Sequence, residues 1–158
     1  MTIPRMVKVH ELMTRDVKTC GRDDTVNRAA RIMWEHDCGC VPVVDGGGQV
    51  VGMVTDRDVC MAAYTQGLPL PAIRVETAMS KQVHACRPDD SLLVAERVMR
   101  EHRVRRLPVV APDGTLAGIL SLNDVAQEAA REHAPATRDV SAEGLAQTLA
   151  AVCERRLH

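Results

Sequence analysis

The sequence predicts an α/β (α+β) protein built from two copies of one β-α-β-β-α unit, packed as a pseudo-two-fold pair and followed by a C-terminal helix. Three observations carry that prediction. They are an ungapped internal repeat, apolar periods that alternate between strand-like and helix-like within each copy, and a final amphipathic stretch outside the repeat. Met13 and Met79 set the register, an offset of 66 residues. In it Val17 meets Val83, Cys20 meets Cys86, and Asp23-Asp24 meets Asp89-Asp90. Ala29, Arg31, Met33, Glu35 and His36 fall on Ala95, Arg97, Met99, Glu101 and His102. Pro42-Val43-Val44 then meets Pro108-Val109-Val110, Gly48 meets Gly114, Gly52 meets Gly118, and Asp58-Val59 meets Asp124-Val125.

Each element follows from local chemistry. Val17-Lys18-Thr19-Cys20 reads as a short strand, and Asp23-Asp24-Thr25 offers capping oxygens for a helix running to about His36. Its apolar side is read as Val26, Ala29, Ala30, Met33 and Trp34. The β-branched run Val41-Pro42-Val43-Val44 is a strand that ends in the turn Asp45-Gly46-Gly47-Gly48. Gln49 to Thr55 returns as a second strand, broken at Gly52, and Thr55 or Asp56 caps a helix carrying Val59, Cys60 and Ala63. The second copy gives a helix over Leu92–His102, a hairpin joining Leu107–Val110 to Leu116–Leu120 through Pro112-Asp113-Gly114, and a helix from about Leu122. The copies span 7–63 and 75–130, with a linker at 64–74 that holds Gly67, Pro69 and Pro71. Neither has enough strands to cover its own apolar face, so the two sheets are expected to pack together. The extension 131–158 breaks at Ala134-Pro135. Ser141 then caps a helix over about 141–156, with Leu145, Leu149, Val152 and Cys153 on one stripe against the module or a partner subunit.

Composition narrows the function classes. The 158 residues include no Phe, one Trp (Trp34) and one Tyr (Tyr64), so the core must come from Val, Leu, Ile, Met and Ala. A formal charge of −1 gives no general attraction to nucleic acid or to an anionic membrane. So few aromatic rings also argue against a base-stacking platform. No run approaches the roughly 20 apolar residues needed to span a bilayer, and the first residues show no signal pattern, so a cytoplasmic location is expected. The six cysteines form no disulfide framework, and Cys20 and Cys86 read as core. There is no nucleophile elbow, P-loop lysine or HExxH pair, so an enzyme is not expected.

Val41-Pro42-Val43-Val44-Asp45 followed by Gly52-Met53-Val54-Thr55-Asp56-Arg57-Asp58 resembles the cystathionine-β-synthase-type (CBS) domain. Arg105-Arg106-Leu107-Pro108-Val109-Val110 followed by Gly118-Ile119-Leu120-Ser121-Leu122-Asn123-Asp124 resembles it at least as closely, and the likeness covers roughly residues 7 to 130. The resemblance implies a tandem (Bateman) module with clefts between the copies for adenosine-containing ligands such as AMP, ADP, ATP or S-adenosylmethionine. It further implies a stand-alone regulatory homodimer, with an effector protein as a possible further partner and no cofactor required.

Thr55-x-x-Asp58 and Ser121-x-x-Asp124 lie where a strand hands over to a helix. A hydroxyl there, with free N–H groups of the helix's first turn, suits a phosphate, and a carboxylate three residues on can accept both hydroxyls of a ribose. Plain helix capping accounts for the same residues. Arg103, Arg105 and Arg106 precede the second Pro-Val-Val strand, where the first copy has Cys38-Gly39-Cys40 opposite Val104, Arg105 and Arg106. Arginine suits phosphate oxygens, and the resemblance places Arg105 and Arg106 on them, so the second site is the better phosphate candidate. Pro42 and Pro108 are counted with the ligand-binding residues. The first site is left open to a less charged ligand, to help from Arg57, or to no ligand. Two further readings stand beside this one. One is a ligand-free dimeric scaffold. The other is a metal or redox sensor using Cys38 and Cys40, whose sulfurs an extended chain would place on one face, with His36 or Asp37 as a third ligand. His102, at a helix C-terminus, needs only a structural role.

Overall fold

The computed structural model of the chain describes residues 6–131 and 141–153. The elements run α1 (Val9–Leu12), α2 (Val26–Glu35), β1 (Cys40–Val44), β2 (Val50–Thr55), α3 (Asp56–Gln66), a 3-10 turn at Leu70–Ala72, α4 (Val75–Ala78), α5 (Leu92–His102), β3 (Arg106–Val110), β4 (Leu116–Ser121), α6 (Leu122–Arg131) and α7 (Ala142–Cys153). Contacts divide them into two units. One holds Asp16–Val83 with Asp113–Leu116; the other holds the described residues up to Arg15, His84–Pro112 and those from Ala117 onward. They are called below the first-repeat and second-repeat units. No helix among the described residues is long and apolar enough to cross a membrane.

In the first-repeat unit, Thr25 caps α2, accepting from the Arg28 N–H at 3.4 Å. The helix lays Val26, Ala29 and Met33 on the antiparallel β1–β2 pair, whose register runs from Cys40 opposite Thr55 to Val43 opposite Gly52. Trp34 is not on that face: it is 89% exposed, because one residue beyond Met33 turns the side chain about 100° around the helix. Cys60, next to the buried Val59, is exposed for the same reason.

The strand expected at Val17–Cys20 is a single parallel bridge. The Cys20 N–H donates to the Pro42 carbonyl at 3.1 Å and Cys20 accepts from the Val44 N–H at 2.9 Å. A ladder cannot continue upstream, because its next bond needs an N–H on residue 42, and proline has none. Cys86 bridges Val109 in the second-repeat unit under the same limit from Pro108, with bonds of 3.2 and 2.8 Å.

Each repeat is completed by a segment that lies outside it. The Val75 and Glu76 N–H groups donate to the Asp24 and Arg22 carbonyls (2.8 and 3.1 Å), and Ser80 pairs with Met53 in both directions (2.8 and 3.1 Å). Ile73, in the stretch read as a linker, and Val75 are fully buried, and Met79 is nearly so. Sixty-six residues earlier the same bonds recur. Val9 and His10 donate to Asp90 and Pro88 (2.9 and 3.0 Å), and Thr14 pairs with Ile119 (2.9 and 3.0 Å). Val7, Val9 and Met13 thereby join the core formed by Leu92, Ala95, Met99, Leu107, Val109 and Leu120.

The crossing fixes two glycines. A Cβ on Gly52 would lie 2.6 Å from Met79 Sδ and 3.0 Å from the Ser80 carbonyl oxygen. One on Gly118 would lie 2.6 Å from the Thr14 carbonyl oxygen and 2.9 Å from Met13 Sδ.

In the second-repeat unit α7 packs on α5 and α6. Ser141 caps it, its Oγ accepting from the Gly144 N–H at 2.9 Å. The buried stripe differs from the expected one. Thr148 and Val152 are buried and Leu145 packs against the core, whereas Leu149 is half exposed and Cys153 exposed. Thr148 can face inward because its hydroxyl donates to the Gly144 carbonyl at 2.9 Å, which satisfies it within the helix. Ala134-Pro135 and the expected helix end beyond Cys153 lie outside the described residues.

All six cysteines are free thiols. Burial, reinforced by the Asp24 charge, pushes the Cys20 thiol up to about 11, and burial with Asp90 pushes Cys86 up to about 12. The thiolate is the reactive form. Alkylation at about pH 8 is therefore expected to label Cys38, Cys60 and Cys153, which are exposed, well before Cys20 and Cys86. Peptide mass spectrometry over time checks this order.

Candidate functional site

The two strand-to-helix junctions share one geometry. Thr55 is extended (φ −110°, ψ 165°) and starts α3. Its N–H and its hydroxyl both donate to Asp58 Oδ2, at 2.8 Å each, while Thr55 Oγ1 accepts from the Asp58 N–H at 3.1 Å. Ser121 and Asp124 repeat this at the start of α6, with 2.7, 2.7 and 3.2 Å. Both reciprocal boxes use one carboxylate oxygen. Among the described residues Oδ1 of each aspartate takes no part in them, and both side chains are half buried. Capping is thus what these residues do for the fold, and it orients a second oxygen of each carboxylate without engaging it.

The first helical N–H ties each junction to the strand beside it. Asp56 N–H donates to the Gly39 carbonyl (3.2 Å) and Leu122 N–H to the Arg105 carbonyl (2.8 Å). Cys40 stands opposite Thr55 across the sheet, so the 66-residue register puts Arg106 at the corresponding place beside Ser121. The chain reaches this point through a left-handed residue after each helix, Asp37 (φ 48°) and Arg103 (φ 54°). Arg105 and Arg106 are exposed, and the Arg105 guanidinium donates to Cys153 Sγ at 3.8 Å. Pro42 and Pro108 are buried in the middle of β1 and β3, where their carbonyls accept from Cys20 and Cys86.

One difference between the junctions was not singled out in the sequence. Asp56 opens α3, where Leu122 opens α6. The Asp56 carboxylate accepts the Arg57 N–H at 2.7 Å, so a helix-start donor is already taken and a second negative charge stands at that end. At α6 no bond of this kind engages the Asn123 N–H among the described residues. An anion therefore meets two carboxylates at the Thr55 junction, but one carboxylate and nearby arginines at the Ser121 junction. The signal was readable: Asp-Arg-Asp against Leu-Asn-Asp at matched positions.

The metal-site candidates do not converge as expected. Cys38 is exposed and Cys40 buried, so their sulfurs do not share a face, because Cys38 lies in the turn before β1 begins. His36, at the α2 C-cap, is exposed. Among the described residues no three His, Cys, Asp or Glu side chains are grouped to hold a metal ion. His102 stacks on His84, ring centroids 3.6 Å apart and 13° from parallel. Burial, with His102 beside it, holds His84 below the usual imidazole value.

Comparison with known proteins identifies the family. The CBS domain family model matches residues 9–64 and 75–131. The CBS domain-containing protein YhcV of Bacillus subtilis is 36% identical over 121 residues, covering 77% of this chain and 84% of its own. The structure of CBSX2 in complex with AMP superposes with a TM-score of 0.69 at 28% identity, over 78% of this chain and 96% of that one. That of Hypoxic Response Protein I, with two coordinated zinc ions, gives 0.70 at 29% identity, over 82% and 100%. The chain belongs to the CBS domain family and carries two copies of the domain.

Proposed function

We propose that this protein is a non-catalytic regulatory sensor that binds AMP, ADP, ATP or S-adenosylmethionine at the strand-to-helix junctions of its CBS repeats. It works as a cytoplasmic homodimer that reports ligand to an effector protein. One observation carries the reading: Asp58 and Asp124 each commit Oδ2 to the helix cap and keep Oδ1 outside it. A carboxylate oxygen fixed in this way accepts ribose hydroxyls with little further ordering. A relative solved with AMP supports the ligand class.

The two junctions differ in preference. Ser121, Asp124, the Asn123 N–H, Arg105 and Arg106 suit a phosphorylated adenosine. Thr55, Asp58 and Asp56 suit a ligand without phosphate, such as the cationic sulfonium S-adenosylmethionine. Exposure of Trp34 (89%) and Tyr64 (81%) on the first-repeat unit supports a subunit interface there.

The test is a thermal-shift screen of AMP, ATP and S-adenosylmethionine, with guanine nucleotides as controls. A ligand at a hundred times its Kd stabilises by about 2.7 kcal/mol, a rise of roughly 5–10 °C for a chain of this size. Adenine ligands are expected to give such a rise and guanine nucleotides none. Arg106→Ala should weaken ATP about 10-fold or more while leaving S-adenosylmethionine unchanged. No rise with any adenine ligand at millimolar concentration overturns the proposal.

A further inference from the structure

Glu96 lies on α5 between Ala95, which enters the core, and Arg97, which is exposed. Leu92, Ala95, Glu96 and Met99 fall on one buried stripe, and at the corresponding place the first repeat has Ala30, packed against its core. A carboxylate therefore stands where the pattern calls for an apolar side chain, and with α7 packed on α5 it is only 2% exposed. Its Oε1 has no hydrogen-bond partner among the described residues. Gly144 of α7 passes directly above, where an added Cβ would stand 4.0 Å from Glu96 Oε2 and 3.1 Å from Ser141 Oγ.

Among the described residues Oε1 of Glu96 takes no hydrogen bond from the charged groups on the surrounding elements. Arg100, one turn along α5, donates instead to Gln147 Oε1 of α7 at 3.3 Å. Glu143 sits in the exposed first turn of α7. On α6, Asp124 is engaged with Ser121, and Glu128 adds a like charge to that helix. An ionised carboxylate in such a place carries a desolvation penalty, which the nearby Arg100 charge offsets in part.

We propose that α7 is a proton-dependent strap, docked over Glu96 while that carboxyl is protonated and released when it ionises. The far end of the strap touches the nucleotide site, since Cys153 accepts from the Arg105 guanidinium at 3.8 Å. Docking holds Arg105 on α7, and release frees it for phosphate. The coupling to ligand rests on the proposed function; the strap itself does not.

Burial raises the Glu96 carboxyl above its ordinary value of 4.5, with Arg100 opposing. Docking therefore takes up a proton. It is strongest below that ordinary value and weakens as pH rises through the raised one.

Hydrogen exchange of the Ala142–Cys153 amides, normalised to unfolded-chain rates, tests the strap in the full-length protein. From about pH 5 to about pH 8, wild-type protection is expected to fall by up to about 10-fold per pH unit across the titration. Glu96→Gln, neutral and of the same shape, should hold it constant. Gly144→Leu, which wedges α7 away, should remove protection at every pH while the other helices keep theirs. ATP should bind more weakly to Glu96→Gln than to Gly144→Leu. Wild type and Glu96→Gln with the same pH profile overturn the strap, whatever ATP does. Loss of ATP binding in all three proteins, with the two profiles still different, overturns the nucleotide reading and leaves the strap standing.

Discussion

Asp124→Ala is expected to remove the thermal stabilisation by AMP and ATP altogether while lowering the stability of the unliganded protein only modestly. The two effects have separate origins in one carboxylate. Oδ2 closes the cap with the Ser121 N–H and hydroxyl, and loss of such a cap costs about 1 kcal/mol, a few degrees in Tm. Oδ1 is the proposed acceptor for the ribose, and without it two ligand hydroxyls enter a half-buried junction unpaired. Asp58→Ala should show the same cap loss but leave the ATP shift in place, because the Thr55 junction lacks the arginines. Asp124→Asn separates charge from shape: its amide oxygen still accepts, so a reduced shift is expected rather than none. Differential scanning fluorimetry of each variant against its own unliganded baseline reads these outcomes. An undiminished ATP shift in Asp124→Ala would place the nucleotide elsewhere.

The second large effect is on the fold. Gly118→Val should lower stability by about 3 kcal/mol, near the upper end for overpacking, because its Cβ must displace main chain and not only side chain. The obstruction is the Thr14 carbonyl oxygen, 2.6 Å away and itself the acceptor for the Ile119 N–H. Gly52→Val meets the Ser80 carbonyl oxygen at 3.0 Å and a Met79 side chain that can swing aside, so it should cost less. Gly67→Ala gives the contrast. It caps α3 at φ 64° with open space around it, so only backbone strain of about 1 kcal/mol is expected. Urea denaturation of the three variants should rank them Gly118, Gly52, Gly67. A Gly118→Val protein as stable as the Gly67→Ala one would mean that Thr14 does not pair with Ile119 in solution.

The 66-residue register made most helices and both hairpins legible, because each is set by contacts within a few residues of chain. Leu92–His102 and the helix starts at Asp56 and Leu122 stand where capping and periodicity put them. What escaped was non-local. The pairing of Val75 with Asp24 and of Val9 with Asp90 leaves no trace in any short window, although Val9 and Val75 are themselves 66 apart. Proline hid the second limit, since Val17–Cys20 has strand composition and only its partner's missing N–H stops the ladder. At the junctions the sequence supplied Thr55, Asp58, Ser121 and Asp124, and the structure added which oxygen of each carboxylate is occupied. Glu96 was unreadable for a related reason: how dry its place on the stripe of α5 is depends on α7, which comes from outside the repeat.

The segment that completes each repeat also sets an order of events on the ribosome. Everything that the first repeat's bridges require has been made once Ser80 emerges, since Asp24, Met53 and Val75 all precede it. The matching bridges of Val9 and Thr14 form with residues made much later. Val9 waits for Asp90 and Thr14 for Ile119, a delay of roughly 5–20 s at ordinary rates of synthesis. For that interval the apolar Val7, Val9 and Met13 are made but the core that they join is not.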